Sequence, residues 1–143
     1  MTPENTGKRE ELERLLARDP FACLLGVVVE QAEIGRVRLS LELRDEHMNF
    51  NGSAHGGVLF SLADTAFGLA SNAHGVIAVG IHTDMAYSLP GNRGDVLIAE
   101  AEEISCSRRV GIYRVTVRRD DGDVIAVFTG TVYRTDKPHA SMF

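Results

Sequence analysis

The stretch from His55 to His74 reads as one long helix that carries a single charged side chain, Asp64. On a helical wheel with ~100° per residue, one side of this helix is a broad apolar stripe of Leu59, Leu62, Ala63, Ala66, Phe67 and Ala70. Asp64 lies outside the stripe. Its neighbours there are small and uncharged: Ser61, Gly68 and Ser71. A solvent-facing helix surface normally carries several charges, so we predict that both faces of this helix are covered.

The chain is short enough that the cover for the second face must be found outside it. Its 143 residues fit one domain, and 44% hydrophobic with 24% charged residues is ordinary for a globular protein. We expect no segment to be left over to shield the helix. A second copy of the chain, in a symmetric dimer, is therefore the expected cover.

Charge and cysteine content narrow the function classes. The net charge of -5 argues against nucleic acid as a partner, because phosphate binding needs a concentrated basic face. Cys23 and Cys106 form no CxxC pair, which disfavours a disulfide scaffold or a zinc site. No signal peptide and no apolar run of about 18 residues is visible. We expect a cytoplasmic protein that binds no membrane.

Local patterns predict the elements around the long helix. Residues 8–18 predict a short amphipathic helix that ends at Asp19-Pro20. Polar and apolar residues alternate from Arg36 to Leu43, which is typical of a strand, and Leu25–Glu33 is its expected hairpin partner. Four more strands are predicted at residues 76–89, 95–106, 110–119 and 123–134. We expect an α+β fold in which an antiparallel sheet of five to six strands wraps around the long helix.

This order gives three parts of the chain. Residues 1–20 form an N-terminal helical extension, residues 21–135 form the single domain, and residues 136–143 form a C-terminal tail with little pattern.

A lone carboxylate two helical turns after a pair of glycines at the helix start suggests acyl-transfer chemistry. Loss of hydration would raise the pKa and the basicity of Asp64. Gly56 and Gly57 leave open access to the first helical turn, whose free N–H groups could stabilise a carbonyl oxygen as it gains negative charge. Gly57 and Asp64 lie seven residues apart, ~10 Å along one helix, so two antiparallel copies would be needed to bring them together. A hydrogen-bonded structural role is the simpler alternative for Asp64.

The motif Asn49-x-x-Gly52-x-x-His55-Gly56-Gly57, followed by Phe60-Ser61-Leu62-Ala63-Asp64, resembles the hotdog-fold acyl-CoA thioesterases of the phenylacetate-pathway (PaaI) type. The resemblance extends from about Phe21 to Arg134. It includes Ser88-Leu89-Pro90-Gly91, Ser107-Arg108-Arg109 and Phe128-Thr129-Gly130-Thr131. It implies a hotdog fold, dimers joined through a continuous sheet and paired into tetramers, and an acyl-CoA substrate such as phenylacetyl-CoA or hydroxyphenylacetyl-CoA.

The resemblance also implies roles for single residues. Asp64 would act as nucleophile or general base, and the Gly57 amide of the partner chain would polarise the thioester carbonyl. Asn49 would help to position water or the acyl group, while His55 supports the loop and the turn at Gly56. The phosphates of coenzyme A, which is part of the substrate and not a cofactor, would lie near two pairs of residues: Pro90 with Gly91, and Arg108 with Arg109.

Other candidates are weaker. Thr65, beside Asp64, could be a polar helper, and Phe60, Phe67, Met85 and Tyr87 could set the depth of an acyl pocket. The histidines show no paired ligand spacing, so no metal site is expected. A non-catalytic acyl-CoA-binding or sensing module on the same fold remains the alternative function. An enoyl-CoA hydratase would need a further catalytic His, which is not evident.

Overall fold

A computed structural model describes residues 3–139 and shows one long helix with a six-stranded antiparallel sheet around it. The helices are α1 (Pro3–Ala17), α2 (Pro20–Leu25) and α3 (Gly56–Asn72), and a short 3-10 turn covers Asp45–His47. The strands are β1 (Val28–Glu33), β2 (Arg36–Glu42), β3 (Val76–Tyr87), β4 (Val96–Cys106), β5 (Val110–Arg118) and β6 (Val124–Pro138). The expected α+β hotdog architecture, with six strands, is confirmed.

The order of the strands across the sheet is β1-β2-β4-β5-β6-β3, and every neighbouring pair is antiparallel. Tight turns join β1 to β2 at Gly35 and β5 to β6 at Gly122, where φ is 88° and 91°. Glycine adopts these positive φ values without a steric penalty. The sheet therefore has two edges, the six-residue β1 and the twelve-residue β3.

The apolar stripe of α3 faces the concave side of the sheet, as predicted, and all six of its residues are buried. Phe67 sits at the centre, with its ring 5.8 Å from that of Tyr113 and 5.3 Å from that of Phe128. A Cβ on Gly130 of β6 would lie 2.7 Å from the Phe67 ring. The glycine in the middle of this strand thus leaves the space that the aromatic core occupies.

The N-terminal region holds a second helix that the sequence analysis did not predict. α2 begins with Pro20 in its first turn, the side chain of Asp19 accepts the Ala22 N–H at 3.0 Å, and Gly26 ends the helix at φ 90°. This is the usual asymmetry of helix ends, with a polar cap and proline at the start and glycine at the finish. The helix was missed because it has only six residues, too few for an apolar period.

The α1–α2 segment corrects the expectation that no part of the chain could cover the second face of α3. Leu12 and Leu16 of α1 are buried, as the amphipathic pattern predicted, and the segment packs beside α3. Leu15, Asp19 and Phe21 line a cavity together with Asp64. The segment shields one flank of α3. A second copy of the chain would therefore have to cover only the rest of that face.

The C-terminal tail expected at residues 136–143 is corrected in part. β6 continues to Pro138, which lies opposite Val76 of β3, and the Thr135 hydroxyl donates to the Ile77 carbonyl at 2.7 Å. Main-chain pairing with the long β3 holds these residues although their side chains show no apolar pattern. Residues 140–143 lie outside the described part. Within residues 3–139, no helix has the length and apolarity to cross a bilayer.

Candidate active site

Asp64 is the only charged side chain of α3, and it stands between two cavities. The N-terminal cavity, of 560 Å³, lies between the α1–α2 segment and α3, with walls that include Leu15, Asp19, Phe21, Phe60 and Gly68. The edge cavity, of 630 Å³, lies between α3 and β3 and includes Phe60, Gly68, Ser71, His82 and Thr83. The carboxylate is thus open to ligands on both sides.

The surroundings of Asp64 raise the pKa of its carboxyl. Neighbouring protein atoms displace water from the Asp64 carboxyl, and this loss of hydration raises its pKa. The negative charge of Asp19, across the N-terminal cavity, raises the pKa further. No cation and no hydrogen-bond donor among the described residues pairs with this carboxylate. An unpaired carboxylate of raised basicity can take a proton from water or attack an electrophilic carbon.

Within the described part of the chain, the start of α3 leaves the Gly56 N–H free, not the Gly57 N–H that the resemblance implied as donor. His55 caps the helix, and its Nδ1 accepts the Gly57 N–H at 2.8 Å. The Gly56 N–H has no acceptor among the described residues, while the Gly56 carbonyl accepts the Tyr87 hydroxyl at 3.2 Å. Within one chain the expected donor, Gly57, is therefore already bonded, and its neighbour Gly56 offers the free amide.

The acid and the free amide do not meet within one chain. Gly56 opens α3 and Asp64 lies eight residues further on, roughly 12 Å along the axis at 1.5 Å per residue. A thioester carbonyl cannot contact both groups at that separation. A site that uses both must therefore take them from two chains.

Asn49 has a built role in the loop that precedes α3. Its side-chain carbonyl accepts the N–H groups of Asn51 at 2.9 Å and Ser53 at 3.2 Å. No described residue accepts from its side-chain N–H groups. The side-chain oxygen of Asn49 therefore stabilises the loop, while its side-chain nitrogen has no acceptor among the described residues.

Thr65 is less available than expected. Its hydroxyl donates to the Ser61 carbonyl one turn earlier, at 2.7 Å. Such a bond leaves the oxygen lone pairs but removes the donor, so Thr65 can only accept from a ligand.

The four residues expected near coenzyme A fall at opposite ends of β4. Gly91 precedes the strand and is buried, with its carbonyl bonded to the Ala54 N–H at 2.8 Å. The Pro90 carbonyl beside it accepts an N–H of Arg119 at 3.0 Å. Arg108 and Arg109 follow the strand, roughly 35 Å away along its eleven residues. Within one chain the two pairs cannot bind the same phosphate.

The two arginines differ in how much of their charge is free. Arg109 is bonded to both carboxylate oxygens of Asp136, at 3.1 and 2.6 Å, and its guanidinium lies over the Tyr133 ring. The Arg108 side chain is 79% exposed, and its guanidinium lies 3.8 Å from the Asp136 carboxylate, a longer and weaker contact than that of Arg109. Arg108 is the better candidate for a phosphate contact.

One polar cluster near the end of α3 was not predicted. The carboxylate of Glu103 accepts from His74 at 2.5 Å and from the Tyr113 hydroxyl at 2.8 Å. His74, Glu103 and Cys106 are close enough to one another to bind a metal ion, and this is the one such set found among residues 3–139. However, loss of hydration raises the pKa of the Cys106 thiol. Because Glu103 is already hydrogen-bonded to both His74 and Tyr113, we describe the cluster as a hydrogen-bonded network.

Sequence reasoning also missed the place of Asp19 and Phe21 beside Asp64. They lie more than forty residues away in the sequence, and the cap and proline that mark α2 say nothing about what the helix packs against. Tyr87 was considered for the acyl pocket, but its hydroxyl instead holds the first turn of α3.

The chain is similar in sequence and fold to several known proteins. The thioesterase superfamily model matches residues 51–126. Acyl-coenzyme A thioesterase PaaI of Escherichia coli is 32% identical over 81% of this chain and 83% of that protein. A mutant of phenylacetic acid degradation protein PaaI from Thermus thermophilus is 43% identical, with a TM-score of 0.79 over 82% of this chain and 100% of that one. A Streptococcus mutans protein bound to acetyl-CoA is 30% identical, with a TM-score of 0.76 over 78% and 90%.

Proposed function

Because the chain belongs to the thioesterase superfamily, we propose that it hydrolyses acyl-CoA thioesters to a free acid and coenzyme A, with Asp64 as the catalytic carboxylate. The observation that carries this proposal is Asp64 itself, an unpaired acid open to two cavities on a helix that has no other charge. The acetyl-CoA bound to the S. mutans relative supports a CoA ester as substrate. The names of the PaaI relatives support phenylacetyl-CoA or a hydroxylated analogue.

The active form is a homodimer in which two β3 strands pair edge to edge. Every residue of β3 is at least partly exposed, and Val79, Ile81 and Tyr87 are 51%, 61% and 53% exposed. A twelve-residue apolar edge is a template for another strand. Antiparallel pairing would continue the sheet and set the two α3 helices antiparallel, with two dimers able to associate further into a tetramer.

In this dimer each active site combines Asp64 of one chain with the helix start of the other. The Gly56 amide is the proposed donor to the thioester oxygen, in place of Gly57, whose N–H is held by His55. The positive end of the α3 dipole adds to the stabilisation of that oxygen. The free side-chain nitrogen of Asn49 is placed to orient water or the acyl carbonyl.

The reaction needs no metal and no cofactor. Asp64 either takes a proton from the water that attacks the carbonyl carbon or attacks that carbon itself, with water hydrolysing the resulting anhydride. In both routes the carbon–sulfur bond breaks and the thiolate of coenzyme A leaves. Arg108 is the proposed contact for the nucleotide phosphates.

Release of free thiol from phenylacetyl-CoA tests the reaction. The wild-type protein should release thiol, and Asp64→Asn, which keeps size and removes the base, should lower kcat by about 10²–10⁴-fold. An Asp64→Asn protein that binds phenylacetyl-CoA and turns it over at the wild-type rate would refute the role of Asp64. A wild-type protein that binds acyl-CoA but hydrolyses none would support the non-catalytic alternative.

Mixed dimers test the shared site. Gly56→Pro removes the proposed donor, and proline is tolerated in the first turn of a helix. Gly56→Ala is the matched control, because it keeps the N–H and its Cβ would contact Tyr87 at an ordinary 3.6 Å.

Co-refolded Gly56→Pro and Asp64→Asn chains should recover about a quarter of wild-type activity, since half of the dimers are mixed and each mixed dimer has one intact site. Recovery would be absent if both groups acted within one chain. Gly57→Pro removes the N–H that is already bonded to His55 and brings a Cβ to 3.0 Å from Nδ1 of that ring, so it should cost stability but leave the Gly56 donor in place. If Gly57→Pro were inactive and Gly56→Pro active, the donor would be Gly57.

A further inference from the structure

We propose that the N-terminal cavity holds the acyl group of the substrate and that the α1–α2 segment, outside the hotdog sheet, sets which acyl groups fit. The proposal rests on the function proposed above. Its starting point is position: the cavity opens at Asp64 and has apolar walls from two parts of the chain, Leu15 and Phe21 on one side and Phe60 and Leu69 on the other.

The polar groups in this cavity are mostly satisfied within the protein. The hydroxyls of Ser61 and Thr65 each donate to a main-chain carbonyl one turn earlier on α3, at 2.6 and 2.7 Å. Asn72 bonds to main-chain groups of α3 and β3, and Asp19 caps α2. Of the residues that line this cavity, only His139, near the far end of α3, has a buried side-chain atom, Nε2, without a partner among the described residues. A cavity with few free donors suits an apolar group.

Gly68 is the second observation. It lies one turn beyond Asp64 in the middle of α3, where glycine costs about 0.5–1 kcal/mol relative to alanine. A Cβ at this position would meet no atom of the described chain within 4 Å. The packing of the chain therefore does not require glycine here. Gly68 lines both cavities, so the space above it is where the acyl group would extend from Asp64.

Phe21 supplies the outer wall. It is 55% exposed although it lines the cavity, so an acyl group packed against it would cover apolar surface that now faces water. The floor along α3 from Asp64 to Asn72 is about 12 Å long at 1.5 Å per residue. An aryl or medium-length acyl group fills such a space, whereas an acetyl group, with one methyl beyond the carbonyl, fills little of it.

The test compares acetyl-CoA, hexanoyl-CoA and phenylacetyl-CoA as substrates. Gly68→Leu places a side chain in the proposed path, and Phe21→Ala removes the outer wall. Each change should lower kcat/KM for the two larger substrates by at least tenfold and leave acetyl-CoA within about twofold, since loss of a buried apolar contact changes selectivity by about 10–200-fold.

Two control variants separate this effect from general damage. Leu24→Ala, on the same α2 helix but 73% exposed and outside the cavity, should change none of the three substrates. Gly68→Ala, which adds one methyl group, should fall between wild type and Gly68→Leu.

Equal loss for all three substrates would overturn the proposal. So would an unchanged preference in both Gly68→Leu and Phe21→Ala. Conversion of Gly68→Leu to a monomer would also overturn it, because the space would then belong to the partner chain. Calorimetric binding of a thioether analogue of phenylacetyl-CoA gives a readout without turnover. Weaker binding in the two variants would support the acyl cavity even if the wild-type protein hydrolysed no substrate, so the failure of one proposal can be told from the failure of the other.

Discussion

Nδ1 of His55 accepts the N–H of Gly57 at 2.8 Å, within the chain and before any substrate binds. This bond caps α3 and orients its first turn. It also consumes one of the amides that lie at the positive end of the helix, so the neighbouring Gly56 N–H becomes the donor left for a ligand. His55 of the His55-Gly56-Gly57 motif thus has a structural role that limits which amide is free to bind a ligand.

His55→Ala should lower the free energy of unfolding by about 0.5–2 kcal/mol, the usual effect of losing a helix cap. His55→Asn should lose much less, because the asparagine oxygen can accept the same N–H. Urea unfolding followed by circular dichroism measures both. A His55→Ala variant as stable as the wild type would show that the cap contributes nothing.

Asp19→Asn should move the acidic limb of the kcat/KM profile to lower pH. In the proposed reaction Asp64 acts as the ionised carboxylate, and the pKa of this carboxyl lies above the ordinary value for aspartate because of lost hydration and the charge of Asp19. Removing that charge favours the carboxylate, while asparagine keeps the cap on α2. Arg18, His139 and His82, which also line the two cavities, are unchanged.

Asp120→Asn is the matched control for this pH shift. Asp120 is exposed in the turn after β5 and lines neither cavity. The pH profile of kcat/KM for Asp120→Asn should overlay that of the wild type. A profile that does not move in Asp19→Asn would mean that the acidic limb reports a group other than Asp64.

Gly91→Ala should destabilise the fold by about 1–3 kcal/mol, because the new Cβ would lie 2.9 Å from Leu43 Cδ1 and 3.1 Å from the Ala54 Cβ. Gly68→Ala is the opposite case and should be neutral or stabilising. Thermal unfolding of the two variants measures the contrast. If Gly91→Ala were as stable as the wild type and weakened acyl-CoA binding instead, the position would be a ligand contact, as the resemblance to PaaI implied.

Glu103→Gln should make stability less dependent on pH. Partial burial alone would raise the pKa of the Glu103 carboxyl, but hydrogen bonds from His74 and Tyr113 outweigh it and the pKa is lowered. The folded state therefore gains stability above the ordinary glutamate pKa of about 4.3, and loses it as the pH falls through the lower folded value.

The difference in unfolding free energy between wild type and Glu103→Gln should thus be constant near neutral pH and shrink below about pH 4. Glu10→Gln, an exposed change on α1, should show no such dependence. A constant difference down to about pH 3 would contradict the lowered pKa.

Much of the architecture could be predicted from the sequence because it depends on local periods. The apolar stripe of α3 predicted which residues of this helix are buried, and the alternation from Arg36 to Leu43 predicted the strand β2. The sequence did not predict α2, because six residues are too few to show a period. It did not predict the end of β6, because main-chain pairing with β3 needs no apolar pattern.

The sequence by itself determined that α3 has one acid outside its apolar stripe, because that fact depends only on residue order and the 3.6-residue turn. Only the tertiary structure decided what faces that acid: Asp19 and Phe21 of a short N-terminal helix on one flank, and an open twelve-residue edge strand on the other. It also decided that His55 holds the Gly57 amide. Contacts between distant segments and the geometry of a single hydrogen bond arise from how the elements pack, which no local pattern records.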